Sequence, residues 1–203
     1  MKKILLSCLM TLVLVFSFGC SKQPDTLQNS ISLMPLSQDQ MEIVGLLSTY
    51  NQDLFLFEYK TDEVYNSAEF WVEVYKDGKL VETPAKISYY SNEGYKFDGK
   101  LALTITNNTN YQWMITAREN GATYSHIGES SLIKEGSIGS ASSPIDAAVE
   151  IEDGKEIVLY STMFFDGQIT TYSEQQMYVE DPELLKNYSY AHIVKCKFNK
   201  FIT

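Results

Sequence analysis

The chain has 203 residues, of which 26 are acidic and 16 are basic, so its net charge at pH 7 is −10. Such an acidic surface repels phosphate backbones, which argues against a nucleic-acid partner, and it is not attracted to anionic membranes. The three cysteines form neither a disulfide framework nor a metal-type spacing.

The first 20 residues have the parts of an export signal. Two lysines are followed by an apolar run from Ile4 to Phe18, and Cys20 comes directly after Gly19. The run is short for a permanent transmembrane helix, which needs about 20 apolar residues. The pattern predicts a signal peptide over residues 1–19. Its removal raises the excess of acidic over basic residues from 10 to 12.

At this point the chain resembles bacterial lipoprotein precursors, in which a lipobox ends in Gly or Ala followed by Cys. The resemblance implies that the Cys20 thiol receives a diacylglyceryl group and that Cys20 becomes the mature N-terminus. The chain departs from the family pattern at Ser17, where Leu is preferred, and at the bulky Phe18. The expected location is the extracytoplasmic face of the bacterial cell membrane, with secretion of an unlipidated protein as the alternative.

Residues 20–40 are predicted to form a flexible tether between the lipid and the folded domain. They are rich in Ser, Gln, Asn and Asp and include Pro24 and Pro35. A first strand around Ile31–Met34 is the alternative. Residues 41–203 are expected to form one domain, because a chain of this length buries a sizeable core without disulfides.

From Met41 onward the pattern is typical of short β-strands. Tyr, Phe, Val, Ile and Thr are abundant, and turn residues recur about every ten positions. The predicted strands are Met41–Ser48, Leu54–Tyr59, Ala68–Tyr75, Leu80–Glu82, Lys86–Tyr90, Leu101–Thr106, Tyr111–Thr116, Ala122–Ile127, Ala147–Ile151, Glu156–Phe165, Ile169–Tyr172 and Tyr188–Phe198. Asp-Gly and Asn-Gly pairs predict tight turns at Asp77-Gly78, Asp98-Gly99, Asn120-Gly121, Asp153-Gly154 and Asp166-Gly167.

The connections between these strands predict the fold class. Residues 101–127 should form a three-stranded meander, Gly128–Pro144 a long loop, and Ala147–Ile151 a hairpin with Glu156–Phe165. One short helix is expected over 181–186, because Asp181 can cap it and proline suits its first position. The result is an all-β, antiparallel β-sandwich, immunoglobulin-like by default, although the paired cysteines of immunoglobulin domains are absent.

The sequence offers few candidate catalytic residues. His192 and Cys196 share one face of the last strand, but a spacing of four residues separates them by about 13 Å, too far for a base and its nucleophile. Their alternation with Lys195 and Lys197 predicts that both point into the core. No zinc, phosphate-loop or serine-nucleophile motif is present, and nothing selects a carboxylate pair. We therefore expect no enzyme activity, no cofactor and no metal.

A ligand site, if the domain has one, is predicted between Tyr89 and Asp98. Four aromatic residues there surround Asn92, Glu93 and Gly94, namely Tyr89, Tyr90, Tyr95 and Phe97. Adjacent residues of a strand point to opposite faces, so at least one of the two neighbouring tyrosines should leave the core. Such rings can stack on a sugar or anchor a partner protein. The alternative is that they close the open end of the sandwich.

Three functions remain compatible with these observations. The first, preferred by fold analogy, is a lipid-anchored module that binds an unknown ligand. The second is a carbohydrate-binding or glycan-acting surface protein, which two convergent carboxylates in a cleft would favour. The third is a structural accessory subunit of an envelope complex, which a large apolar patch on one sheet would favour. The expected partners are the membrane, through the lipid, and an envelope protein or glycan.

Overall fold

A computed structural model describes residues 28–47, 52–107, 110–130, 139–166 and 176–200. The predicted signal peptide, Cys20 and the predicted strand Ile169–Tyr172 lie outside these residues. The described strands are β1 (Ser30–Leu33), β2 (Gln52–Lys60), β3 (Tyr65–Lys76), β4 (Lys79–Glu82), β5 (Lys86–Tyr95), β6 (Asp98–Asn107), β7 (Tyr111–Glu119), β8 (Ala122–Ser130), β9 (Gly139–Pro144), β10 (Val149–Glu150), β11 (Glu156–Phe165) and β12 (Tyr190–Asn199). The described helices are α1 (Gln38–Leu47), α2 (Met177–Glu180) and a 3-10 helix (Pro182–Asn187).

The strands form two antiparallel sheets that pack face to face. Sheet A has the order β10-β1-β2-β6-β7-β8, and sheet B has the order β4-β3-β12-β11-β9, with β5 also paired to β3. The predicted all-β, antiparallel β-sandwich is confirmed. The twelve described strands exceed the roughly seven to nine of immunoglobulin domains, so the likeness is one of sandwich architecture.

Two of the predicted turns have the backbone conformation that their sequence requires. Asp77 and Gly78 adopt φ of 48° and 74°, and Asn120 and Gly121 adopt φ of 49° and 80°. Positive φ at both central residues matches the twist of the flanking strands, so these turns close the β3–β4 and β7–β8 hairpins. The predicted meander is confirmed as β6–β7–β8.

The N-terminal part of the domain corrects two predictions. Ser30–Leu33 form a strand that pairs with β2 and β10, so the alternative reading of a strand near Ile31–Met34 was the right one and the tether does not extend to residue 40. The predicted strand Met41–Ser48 is wrong, since α1 occupies Gln38–Leu47. Ser37 and Gln40 exchange hydrogen bonds between side chain and backbone, a capping box that starts the helix.

Three further local predictions differ from the structure. The predicted loop Gly128–Pro144 contains the end of β8 and all of β9. The predicted hairpin of Ala147–Ile151 with Glu156–Phe165 is wrong, because β10 pairs with β1 in sheet A while β11 pairs with β9 and β12 in sheet B. Gly99 lies inside β6 rather than in a turn. In all three predictions the structure depends on which strands pair. The pairing strands are distant in sequence, so local turn chemistry does not indicate them.

The main core lies between the two sheets and is strongly aromatic. Its fully buried members include Phe57 and Trp113 from sheet A and Phe70 and Phe198 from sheet B. The last strand contributes His192 and Cys196 to this inner face, and both side chains are completely buried. The prediction that they point inward is confirmed.

Sheet B also has a covered outer face. The segment from α2 through the 3-10 helix packs Tyr178, Leu185 and Tyr188 against Val158 and Ile193. The predicted helix near 181–186 is confirmed as the 3-10 helix, capped by a bond from the Glu183 N–H to the Asp181 carboxylate (3.2 Å). Within the residues that the structure describes, no helix is long and apolar enough to cross a membrane.

Candidate functional site

The four aromatic residues of the predicted ligand site divide between the interior and the surface. Tyr89 and Phe97 are buried between the sheets, Tyr95 is half-buried, and Tyr90 is 73% exposed. Tyr89 and Tyr90 therefore point to opposite faces of β5, as strand alternation predicts. The rings of Tyr95 and Phe97 lie 4.3 Å apart, so these two share one face.

A bulge in β5 brings Tyr95 back over the core. Tyr95 pairs with Tyr65, whereas Tyr90 pairs with Ser67, so the four residues 91–94 lie opposite the single residue Asn66. Gly94 has a φ of 69°, and its N–H donates to the Ser91 hydroxyl (3.1 Å). This turn returns the half-buried Tyr95 ring to the side of the sheet that packs against the core.

The inner strands place a carboxylate beneath these rings. Tyr59, Gly99 and Glu119 are direct neighbours across β2, β6 and β7. A Cβ atom on Gly99 would lie 2.3 Å from both the Glu119 Oε2 and the Tyr59 hydroxyl oxygen. The absence of a side chain at position 99 leaves the space that the Glu119 carboxylate and the Tyr59 hydroxyl occupy.

Among the described residues, the carboxylate of Glu119 has no cationic partner. Its Oε1 accepts the Asp98 N–H (3.2 Å), and its Oε2 lies beside the Tyr59 hydroxyl without a hydrogen bond of good geometry to any described residue. The side chain is buried, and so are the hydroxyl oxygens of Tyr59 and Tyr89, neither of which has a hydrogen bond of good geometry within the described part of the chain. We name these three residues with Tyr95 and Phe97 the aromatic–carboxylate cluster.

Burial and charge act together on the ionisation of the cluster. Burial raises the pKa of Glu119. The Asp98 N–H and the Tyr59 hydroxyl act in the opposite direction, whereas the charge of the Asp98 carboxylate acts with burial, and the net effect is a raised pKa. Burial, followed by the charge of Glu119, raises the pKa of Tyr95 to about 12 and raises the pKa values of Tyr59 and Tyr89 as well. These tyrosines stay protonated at neutral pH and are available as hydrogen-bond donors.

The cluster can therefore stabilise a group that brings a hydrogen-bond donor or a positive charge to Glu119. A buried carboxylate without a partner is unfavourable, and it is relieved either by a proton or by such a group. The ring of Tyr124, half-exposed on β8, packs edge-on against Tyr89 (5.1 Å) at the rim. Aromatic faces around a carboxylate also suit a cation.

Sequence reasoning missed Glu119 although a signal was present. The alternation of Tyr111, Trp113 and Ile115 on the inner face continues to position 119, which places a charged residue on an apolar face. Gly99 was interpreted as part of a turn, and that assignment concealed its role in making room. The proximity of Glu119 to Tyr59 depends on strand pairing, so no local sequence pattern indicates it.

The outer side of β5 carries a second, exposed group. The Tyr90 hydroxyl donates to the Glu69 carboxylate (2.6 Å), and the Lys86 ammonium donates to the same carboxylate (3.1 Å). The Lys86 ammonium also lies 5.7 Å from the centre of the Trp71 ring. The Tyr90 ring is thus held in one orientation on an open sheet face.

The neighbouring part of sheet B holds a charge network in which the partners are satisfied. The Lys195 ammonium contacts Glu73 (2.7 Å) and Glu156 (3.0 Å). Glu73 also accepts bonds from the Trp71 indole N–H (2.9 Å) and the Tyr75 hydroxyl (2.6 Å). Burial alone would raise the pKa of Glu73, but these hydrogen bonds outweigh it and lower that pKa. We therefore interpret this network as one that stabilises the fold rather than as a binding site.

The opposite end of the interior encloses His192. Its ring packs edge-on against Tyr111, Trp113 and Phe164, at 4.8 to 5.2 Å between ring centres. Neither ring nitrogen has a hydrogen-bond partner among the residues that the structure describes, and burial lowers the His192 pKa to about 3. Burial also raises the pKa of the Cys196 thiol, so at neutral pH the imidazole is uncharged and the thiol stays protonated, which does not favour a reactive cysteine.

A groove beside β1 and β2 is the other candidate surface. An open groove of about 920 Å³ follows β1 and β2 and is lined by apolar residues such as Leu33 and by charged residues such as Glu58 and Lys60. Glu58 and Lys60 are exposed to solvent, whereas Glu119 is buried, so the aromatic–carboxylate cluster is the stronger candidate. In the part of the chain that the structure describes, no three His, Cys, Asp or Glu side chains are arranged to hold a metal ion.

Comparison with known proteins gives one family. A family model described as "YgaN domain" matches residues 33–198, which include every described strand except the first three residues of β1 and the last residue of β12. No curated protein and no solved structure matches the chain.

Proposed function

We propose that the β-sandwich of this chain, which belongs to the YgaN domain family, is the binding module of an exported lipoprotein. The lipid on Cys20 attaches it to the extracytoplasmic face of the bacterial cell membrane, and the module acts without catalysing a reaction. The signal-like residues 1–20 support export and lipid attachment. The described residues contain no paired nucleophile and base, which is why binding is preferred to catalysis.

The aromatic–carboxylate cluster is the observation that carries the binding role. Buried polar groups in folded proteins are normally satisfied, and unsatisfied ones mark places where a ligand or a proton completes the structure. Here Glu119 and the hydroxyls of Tyr59 and Tyr89 lie together under the half-buried Tyr95. The proposed ligand inserts a donor or a cationic group between these rings.

Lipid attachment is tested by fractionation of cells that express the full chain. Cys20→Ala should move the protein from the membrane fraction to the medium or leave an unprocessed precursor. Cys8→Ala, in the apolar part of the signal, is the matched control and should fractionate like the wild type. Unchanged fractionation of Cys20→Ala would reject the anchor.

Ligand binding is tested with purified cell-wall peptidoglycan, which presents both sugar rings and amino groups. Glu119→Gln keeps the shape and the acceptor oxygen but removes the negative charge, so binding should weaken by about tenfold or more. Glu129→Gln removes an exposed carboxylate on β8 and should bind normally. Equal binding by both variants would contradict a role for the cluster.

Carbohydrate binding through Tyr90 is the second candidate. Its ring is exposed and is fixed by Glu69, a combination that suits stacking on a sugar face. Tyr90→Ala distinguishes the two candidates in the same assay. Loss of binding in Tyr90→Ala with retention in Glu119→Gln assigns recognition to the outer face of sheet B.

The accessory-subunit role stays a prediction. The exposed large apolar side chains of the described residues do not form a patch on one sheet face. Three of them lie on α1, whereas Val64, Leu80 and Ile127 are distributed among other elements.

A further inference from the structure

The interior of the sandwich meets solvent at the β8 edge, next to the aromatic–carboxylate cluster. Strand β8 is the edge strand of sheet A, and its register places Ala122 beside Glu119. It also places Tyr124 beside Ala117. Paired residues of neighbouring strands point to the same face of a sheet, so these four side chains belong to the inner face. Glu119 and Ala117 are buried, whereas Ala122 is exposed and Tyr124 is 52% exposed. Among the described residues, sheet B therefore covers β7 but leaves this end of β8 open.

This open edge lies directly beside the Glu119 carboxylate. Glu119 is the last residue of β7, and the turn Asn120-Gly121 that follows it is exposed. Its neighbour on the edge strand is Ala122, which contributes only a methyl group. The cluster is thus one small residue away from solvent on this side.

The cluster has an excess of hydrogen-bond acceptors. Three of its buried oxygen atoms, the Glu119 Oε2 and the hydroxyl oxygens of Tyr59 and Tyr89, have no hydrogen bond of good geometry within the described part of the chain. All three can accept a hydrogen bond, and the carboxylate also has no described counter-charge. A complementary group therefore brings several donors together with a positive charge.

A primary ammonium meets these requirements best. It has three N–H donors and no acceptor on one compact charged atom. A quaternary ammonium has no donor and would leave the oxygen atoms unsatisfied. A guanidinium pairs with both oxygens of a carboxylate, but the Glu119 Oε1 already accepts the Asp98 N–H (3.2 Å). A sugar hydroxyl brings no charge.

We propose that the aromatic–carboxylate cluster receives a primary ammonium on a slim alkyl chain, which enters at the β8 edge beside Ala122. This inference rests on the proposed binding role of the cluster and names the chemistry of its ligand. The ammonium pairs with Glu119 and donates to the hydroxyl oxygens of Tyr59 and Tyr89. The entering chain displaces the ring of Tyr124 rather than a core ring, because that ring is already half in solvent.

The charge of the whole protein favours such a ligand. The net charge of −10 attracts cations toward the domain. The same ammonium chemistry is present in the amino groups of peptidoglycan peptides and in free aliphatic amines, so the experiments distinguish these two sources.

The first experiment compares the binding of the full chain to native peptidoglycan and to peptidoglycan whose amino groups are N-acetylated. Acetylation removes the positive charge and two of the three N–H donors, so the wild type should bind about tenfold or more weakly. Glu119→Gln should bind both preparations equally, because acetylation and the substitution remove the same interaction. Glu129→Gln alters an exposed carboxylate on β8 and should keep the difference that the wild type shows.

The second experiment replaces peptidoglycan by small probes of equal chain length, namely n-pentylamine, 1-pentanol and pentyltrimethylammonium. Pentanol keeps a donor without the charge, and pentyltrimethylammonium keeps the charge without a donor. Titration of the full chain, followed by nuclear magnetic resonance, should show pentylamine binding about tenfold or more tightly than either of the others.

The entrance is tested by narrowing it. Ala122→Leu places a branched side chain beside Glu119 and should weaken pentylamine binding several-fold without changing the free energy of unfolding. Thr123→Leu adds similar volume on the opposite face of the same strand and should bind pentylamine normally. Normal binding by Ala122→Leu would show that the ligand does not enter at this edge.

The outcomes separate this inference from the proposed function. If native and acetylated peptidoglycan bind equally while Glu119→Gln binds both weakly, the cluster is a binding site but not one for an ammonium. Pentanol or pentyltrimethylammonium binding as tightly as pentylamine would overturn the inference in the same way. Pentylamine binding without peptidoglycan binding would support the ammonium site and assign it to free amines. No binding of any probe or of peptidoglycan would overturn both proposals.

Discussion

Two carboxylates, Glu73 and Glu119, show opposite ways of placing a charge inside this sandwich. Glu73, whose side chain is 12% exposed, has Lys195 as a counter-charge and two further hydrogen-bond donors. Glu119 is buried between the sheets, where the described residues provide one backbone donor and the nearby Tyr59 hydroxyl but no cation. A satisfied charge stabilises the structure around it, whereas an unsatisfied charge leaves free energy that a ligand or a proton can recover.

The largest expected effect comes from breaking the satisfied network. Lys195→Met should lower the free energy of unfolding by about 3 kcal/mol, because it leaves Glu73 largely buried without its counter-charge. Urea unfolding at pH 7 measures the change. Lys60→Met disrupts the exposed ion pair with Asp98 and should stay within about 0.5 kcal/mol. A loss below about 1 kcal/mol in Lys195→Met would show that Glu73 is not held by this charge.

His192 extends the comparison to a second unsatisfied group on the inner face. Its pKa is lowered to about 3 in the folded protein, against about 6.5 when unfolded, so only the unfolded chain takes up a proton near pH 5. Stability is therefore lost as the pH falls below about 6.5, by about 2 kcal/mol at pH 5. The fall in unfolding free energy from pH 7 to pH 5 should be smaller in His192→Leu by this amount. Equal falls in both proteins would contradict the burial of a neutral ring.

Glu119→Gln should raise the free energy of unfolding at pH 7 by about 1 kcal/mol, because the amide keeps the acceptor and removes the buried charge. The raised pKa of Glu119 means that its contribution is favourable at low pH and is lost as the pH rises from about 4.3 through the folded-state pKa. The lowered pKa of Glu73 has the opposite consequence, since its contribution is present above about 4.3 and is lost as the pH falls.

Unfolding curves between pH 3 and about pH 8 for Glu119→Gln and Glu73→Gln test this sign difference. Relative to the wild type, the first variant should gain stability toward high pH and the second should lose it. Changes of the same sign in both variants would remove the distinction between satisfied and unsatisfied carboxylates.

The smallest expected effect is at Tyr90. Its ring is exposed and makes a single side-chain hydrogen bond to Glu69, so Tyr90→Ala should change the free energy of unfolding by less than about 0.5 kcal/mol. Thermal unfolding measures it. A large loss would mean that the ring supports the sheet, and would remove it as a candidate for sugar stacking.

The candidate site was only partly predictable. The aromatic stretch was found from its composition, and the opposite directions of Tyr89 and Tyr90 followed from alternation. Glu119 and Gly99 were not found, because they lie on other strands and meet the stretch only through the packing of two sheets. Helix α1 was also missed, because a short apolar run is equally compatible with a strand.

The sequence by itself determined the features that depend on neighbours along the chain. The turns at Asp77-Gly78 and Asn120-Gly121 follow from residues that tolerate positive φ, and the inward direction of His192 and Cys196 follows from a period of two. The start of α1 at its capping box and the cap at Asp181 are likewise local.

Only the tertiary structure decided which surfaces meet. Strand β10 could have paired with β11 beside it in sequence, but it pairs with β1 instead. Lys195 alternates with inward residues and would be exposed on a bare sheet, yet it is 5% exposed among its partners on the outer face of sheet B. Tyr59, Gly99 and Glu119 come from three strands and form one site because the register aligns them. Pairing and covering depend on the free energy of whole surfaces, which no single stretch of sequence contains.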